Sequence, residues 1–297
     1  MTFRRGCLAA VVLMVAMMTG PGVAQLEDNL LATSEENLEG YMAPLRTGLS
    51  GTMNSAIFRS GHVPKSGLTF RIGVATMAVG FDDEDEVYLP QDPVGFTAQE
   101  PTDVPTVAGD PAGAHVEGES GLVQYYPGGF DLTGFQLGVP QVSIGGIMGT
   151  RLVGRYIAID IGDADIGEFK YLGFGAQHSL TQYMGTPPVD VAVGVFFQDF
   201  EIGSDLVKAK ALHFDVTGSK SFGILQPYIG LGYDSMELDI KVEDEDDPED
   251  SLDLTLDKET NFHFTAGAQL SLAFIHAFFE FNAAAGNGFA LGVELGK

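Results

Sequence analysis

Arg151 and Arg155 lie four residues apart, and His213, Asp215, Ser219 and Ser221 share one parity along the chain. Strand side chains alternate between two faces, so residues of like parity project from the same side. Two guanidiniums on one face can each grip a carboxylate through paired hydrogen bonds, which makes Arg151 and Arg155 the leading site candidates. The histidine, aspartate and serines suggest a base, acid and nucleophile set. Along one strand they stand too far apart for direct proton transfer, and neither a G-x-S-x-G nor an H-E-x-x-H motif occurs. The expectation is that the chain is not an enzyme. Acidic runs occur at Asp82 to Glu86 and at Glu243 to Asp250, with Pro248 inside the second. Neither run has EF-hand spacing, nor does the set Asp160, Asp163, Asp165 and Glu168, so weak divalent-cation binding in loops is expected, with no dedicated metal site and no cofactor.

Strands must position these groups. Over residues 260–296 the alternation is strict: Phe262, Phe264, Ala266, Ala268, Leu270, Leu272 and Phe274 point one way, and Asn261, His263, Thr265, Gly267, Gln269 and Ser271 the other. Similar patterns run over Leu68 to Phe81, Met148 to Ile161, Glu168 to Tyr183, Val189 to Ile202, Val207 to Phe222, Leu225 to Val242, Leu252 to Phe274, Ile275 to Ala285 and Phe289 to Leu295. In Leu225 to Val242 the apolar parity changes from Ile229 and Leu231 to Leu238 and Ile240, which predicts a bulge near Asp234. The fold expected is all-β: an antiparallel transmembrane β-barrel of about ten strands, within a range of eight to twelve, preceded by a helical segment. Apolar parity toward lipid places Arg71, Arg151, Arg155, Asp190, His213, Asp215, His263, Gln269, Glu280, Asn282 and Glu294 in the lumen, as a charged constriction or as ion pairs that fill it.

Composition supports export to a membrane. Arg4 and Arg5, an apolar run from Leu8 to Met18 and the stretch Gly20 to Ala24 have the anatomy of a cleavable signal over residues 1–24, and that run is too short to span a bilayer. Cys7 is the single cysteine and lies ahead of the run, so no disulfide is expected after cleavage. A formal charge of −26 disfavours nucleic acid as a partner. Ionised carboxylates are too costly in hydrocarbon, so the acidic runs belong in aqueous loops. With no tryptophan, aromatic girdles would have to be built from Phe and Tyr.

Leu38, Tyr41, Leu45 and Leu49 recur at helical spacing within residues 25–60, with Ser34 as an N-cap and Pro44 dividing two helices. This segment is expected to plug the lumen or pack at the barrel mouth. The barrel itself is assigned to residues 61–297. Pro90, Pro93, Pro101, Pro105, Pro111 and Pro127 argue for a long irregular loop over 82–141, whose last part folds over or into the barrel.

The chain resembles a sparsely characterised family of bacterial outer-membrane barrels, loosely similar to the fatty-acid-transporter-like group. The resemblance rests on Glu39-Gly40-Tyr41-Met42-Ala43-Pro44-Leu45, on Pro140 to Gly145 with Thr150-Arg151 and Arg155-Tyr156, and on Gly173-Phe174-Gly175 with His178-Ser179. Pro187 to Gly194 and Pro227 to Tyr233 add to it. It implies an outer-membrane location, lipid as a partner and a small hydrophobic ligand. The function expected is a passive channel or transporter for small or hydrophobic compounds; the alternative is a structural or surface-interaction barrel with a filled lumen. The parity assignment further implies that Leu270→Arg blocks assembly while Gln269→Arg is tolerated.

Overall fold

The computed structural model describes residues 22–160, 168–203, 206–242 and 251–297. Most of the expected signal segment, the turn 162–167 and the whole of the second acidic run lie outside the described residues. Helices α1 (Gly22–Leu31) and α2 (Glu35–Met53) come first, and β1 (Thr69–Gly80) opens the wall. Then follow β2 (Val87–Tyr88), β3 (Val104–Pro105), β4 (Ala114–Glu117), β5 (Val123–Tyr126), β6 (Gly134–Ile147), β7 (Thr150–Asp160), β8 (Glu168–Ser179) and β9 (Asp190–Ile202). The last five are β10 (Val207–Ser219), β11 (Leu225–Val242), β12 (Leu252–Leu272), β13 (Ile275–Ala283) and β14 (Asn287–Gly296). β1 and β6 to β14 form a closed antiparallel barrel of ten strands, β1 pairing with both β14 and β6.

Because β1 and β11 run in the same direction, the two acidic runs follow strands that end at the same rim. That loop end also carries residues 81–133, whereas 148–149, 220–224 and 273–274 make tight turns at the other.

The wall inverts along its height. In the half nearer the turns, Ile229, Leu231, Phe214, Val216, Phe264, Leu291 and Val293 are exposed on the outer face while polar residues face inward. In the half nearer the loops the outer face carries Lys170, Asp199, Glu201, Lys208, Lys210, Asp239 and Lys241, with ion pairs such as Lys210–Asp239 at 3.4 Å. There the inner face turns apolar: Met77, Val79, Leu137, Phe200, Leu238 and Ile240 pack against Leu38, Tyr41, Met42, Leu45 and Leu49 of α2. The outer apolar run of β11, from Leu225 to Tyr233, is roughly 20 Å tall at about 3.3 Å per residue and about 40° tilt, close to the apolar band of membrane barrels. Rings mark its upper border, with Phe174 stacked on Phe197 at 5.7 Å and Tyr233 edge-on to Phe262 at 6.0 Å.

This inversion corrects the reason for expecting a bulge near Asp234. β11 keeps its phase, with Asp234, Met236, Leu238 and Ile240 all buried; the apolar side changes because the strand leaves one environment for another. The register shift lies farther along, between Met236 and Leu238, where the extra residue belongs to β12.

Three other expectations change. α2 passes through Pro44 as one helix, and the break falls at Thr33–Ser34 instead. Packing around α2 inside the barrel outweighs the one backbone hydrogen bond that Pro44 cannot donate. The loop ends before Gly134, since Gly134–Ile147 is a wall strand that includes Pro140. The β6–β7 register begins at Gln141 and Arg155, so Pro140 stands beyond that ladder and its missing N–H interrupts no pairing there. Finally, the 81–133 loop carries two small sheets around Phe96, Val104, Val116 and Tyr126, and it is stapled over the helices. Tyr41 Oη donates to the Gly128 carbonyl at 2.9 Å, and Asn37 and Gln91 exchange two hydrogen bonds. Burial pushes the Tyr41 phenol up to about 12, so it stays a donor.

Candidate functional site

The lumen of the apolar-banded half is occupied by residues 54–64, which descend from the C-terminus of α2 toward the turn end. Every side chain from Asn54 to Ser60 in this segment is buried. An extended backbone inside a barrel needs partners for its N–H and C=O groups, and the wall supplies them. Ala56 N–H donates to Glu280 at 2.5 Å, Gly61 N–H donates to Ser219 at 2.9 Å, and Asn54 Oδ1 accepts from Gln198 at 2.8 Å. Phe58 sets its ring edge-on to Phe196 at 6.2 Å.

Arg155, only 1% exposed, anchors the top of the segment. It donates to the carbonyls of Met53 at 3.1 Å and Ser55 at 2.7 Å, and to Gln141 Oε1 at 2.8 Å. Met53 ends α2, so the guanidinium covers carbonyls that have no partner within the helix and meets the negative end of its dipole. Lower down, Arg59 pairs with Glu294 and stacks over Phe278 with 4.0 Å between guanidinium and ring centre.

A second cluster is the chain of acids and imidazoles on β10 to β13. Asp234 takes His213 Nδ1 on one oxygen and His263 Nδ1 on the other, both at 2.6 Å, and His263 Nε2 reaches Asn282 at 2.8 Å. The three ligand atoms of His213, Asp234 and His263 lie within 4.8 Å of one another, a spacing that would admit a divalent cation. In the geometry present they satisfy each other as a buried hydrogen-bonded network. Asp215 accepts from Thr217 rather than meeting His213, Ser219 serves Gly61, and Ser221 accepts from Gln226 at 3.1 Å. The base, acid and nucleophile set is thus divided among separate partners.

The candidates fall into distinct groups. Arg155 belongs to the helix anchor; His213, His263 and Asn282 to the Asp234 network; and Glu280 to the segment backbone, with Tyr228 donating to it at 2.8 Å. Arg71, Arg151, Gln269 and Glu294 gather near the turn end, where Arg71 donates to Gln269 at 3.4 Å. Asp190 meets His62 at 3.3 Å beside them. Arg151 and Arg155 share a face, yet only Arg155 is committed to the helix carbonyls. Gln269→Arg would therefore add a cation beside Arg71 and Arg151, and tolerance is no longer expected. Arg59 and Asp234 were not among the sequence candidates: Arg59 sits in a stretch read as helical, and Asp234 at an expected bulge. The signal available for Arg59 was its place among small and polar residues just ahead of the first strand.

Gly61 lies tight against the wall. A Cβ there would fall 2.4 Å from the Asp190 carbonyl oxygen and 2.8 Å from that of Thr217, both fixed by the β9–β10 ladder. Gly61→Ala is expected to lever the segment away from the wall while leaving the barrel folded. Limited proteolysis should then cut within residues 54–64 at least about tenfold faster, with heat-modifiable gel mobility unchanged; equal cleavage rates would show that the contact yields.

An apolar outer band, a polar lower lumen and a closed ten-strand antiparallel wall define an outer-membrane-type β-barrel with a plugged interior. The chain belongs to the family of unknown function DUF6588, whose model matches residues 4–297. No curated protein matches it. Among solved structures it is similar to the loop L8 deletion mutant of OmpT, an outer membrane protein of Vibrio cholerae, at 10% identity over 78% of this chain and 100% of that one, with a TM-score of 0.28. It is similar to the outer membrane protease OmpT from Escherichia coli at 7% identity, covering 80% and 98% of the two chains with a TM-score of 0.36. The attachment invasion locus protein Ail of Yersinia pestis gives 9% identity, 77% and 97% coverage and a TM-score of 0.22. At these scores the likenesses assign no activity, and the functional reading rests on the chain's own geometry.

Proposed function

We propose that the protein is an integral outer-membrane barrel closed by its own N-terminal segment, a structural or surface-interaction barrel whose working surface is the loop end. The observation that carries this reading is the hydrogen-bonded occupation of the lumen by residues 54–64, beneath an apolar plug formed by α2. The exposed apolar band supports lipid as its surroundings, and the export pattern in residues 1–24 supports the outer membrane. Long loops outside and short turns in the periplasm would orient the 81–133 cap, with the acidic run Asp82 to Glu86, toward the exterior. Planar-bilayer recording tests the closed state: the purified full chain is expected to show no unitary current, and a stable single-channel step at low voltage would overturn it.

A second reading retains transport of small or hydrophobic compounds, as the likeness to fatty-acid-transporter-like barrels implied, through displacement of the segment. A cavity of about 240 Å³ that reaches Arg71 and Arg151 from the turn end favours it.

A further inference from the structure

We propose that the turn-end cavity is a binding site for a small oxyanion, a carboxylate or phosphate group held between Arg71 and Arg151. The cavity measures about 240 Å³ and includes Arg71, Arg151, His62, His276, Ser271 and Gln226 in its lining, with no Asp or Glu among the described residues that line it. In a chain with 41 acidic and 15 basic residues, such a surface departs sharply from the average.

The basic groups here are under-compensated. Glu294 pairs with Arg59 and lies 3.9 Å from Arg71, so two arginines share its one carboxylate. Arg151 forms no ion pair among the described residues; it donates to Gln177 Oε1 at 3.1 Å and to the His62 carbonyl at 3.0 Å, both neutral. A guanidinium has five donors, so each arginine keeps N–H groups free for a ligand. Strand order brings the two together: Arg71 on β1 stands opposite Ser143, and Arg151 on β7 opposite Gly145, with only β6 between them. Gly145 packs directly beside Arg151: a Cβ there would fall 2.9 Å from Thr69 Oγ1 and 3.5 Å from Arg151 Cβ, so a larger residue would crowd that arginine. A planar guanidinium can hold a carboxylate or phosphate through two parallel hydrogen bonds, and a cation would meet repulsion. The nearby Asp190 carboxylate faces His62 rather than either arginine.

This site does not depend on whether the segment ever moves, so it can fail while the closed-barrel reading stands, and the reverse. The test uses the full chain refolded in zwitterionic detergent without lipid and titrated calorimetrically with inorganic phosphate and with succinate, at constant ionic strength set by chloride. Saturable binding of at least one is expected. Arg71→Gln and Arg151→Gln should each weaken it by about tenfold or more. Ser221→Glu, on an exposed turn at the cavity rim, should suppress it through a built-in competing carboxylate without touching the wall. Protein extracted from membranes separates the sources: co-purified phospholipid lost in the double arginine variant points to a headgroup, and titration equal to that of refolded protein points to a free anion. Absence of saturable binding to lipid-free protein, or binding by Ser221→Glu equal to that of the natural sequence, would overturn the proposal.

Discussion

Leu231→Arg is expected to abolish stable insertion of the barrel, while Thr255→Arg leaves it intact. Leu231 is 65% exposed on the outer face of β11, flanked by Val216 on β10 and Phe264 on β12, well inside the apolar band. An arginine at such depth costs about 2–4 kcal/mol, a large part of the stability of a typical domain. Thr255 lies above the band and donates to Asp239 at 2.7 Å, so an arginine there gains a partner in water. Leu270 is paired with Leu225 at the start of β11, close to the turn end, where the cost of a charge falls off, so Leu270→Arg should be the milder lipid-face variant. Folding into lipid vesicles, followed by heat-modifiable mobility, gives the ranking. Equal behaviour of Leu231→Arg and Thr255→Arg would mean that the inversion of the wall does not mark a lipid boundary.

Arg155→Ala should release the segment. The substitution strips partners from the Met53 and Ser55 carbonyls and from Gln141, all buried, and removes the cation at the C-terminus of α2. Hydrogen bonds from a charged group contribute about 1.5–3 kcal/mol each, and the substitution removes three of them at once. Unitary currents are expected in planar bilayers where the natural sequence gives none, together with faster proteolysis near Met53. Arg155→Lys should lie between the two, because one ammonium cannot reproduce the planar fork that reaches both carbonyls. A closed, protease-resistant Arg155→Ala would show that α2 packing alone holds the plug.

Period-two alternation made nine of the wall strands legible, from Thr69–Gly80 to Asn287–Gly296, with ends within a few residues of those observed. It works because a strand's side-chain period is fixed by the backbone, whatever the neighbouring chain does. β6 was hidden by Pro140 and by the run of glycines and prolines ahead of it; only the end of the β6–β7 ladder makes that proline harmless. Pro44 misled in the opposite sense, since its local cost is overcome by contacts no local pattern encodes. Parity likewise assigned a face to Arg71, Arg151, Arg155 and Glu294 but not a partner.

What the sequence determined unaided was the strand, the face and the sign of each group, because all three are properties of a residue and its immediate neighbours. Only the tertiary structure decided which groups meet. Glu280 finds the Ala56 backbone 224 residues away, and Arg155 finds the end of α2 about 100 residues away. Those contacts exist because closing the barrel fixes a lumen of one width and the N-terminal segment is threaded into it, and chain separations of that size leave no local trace.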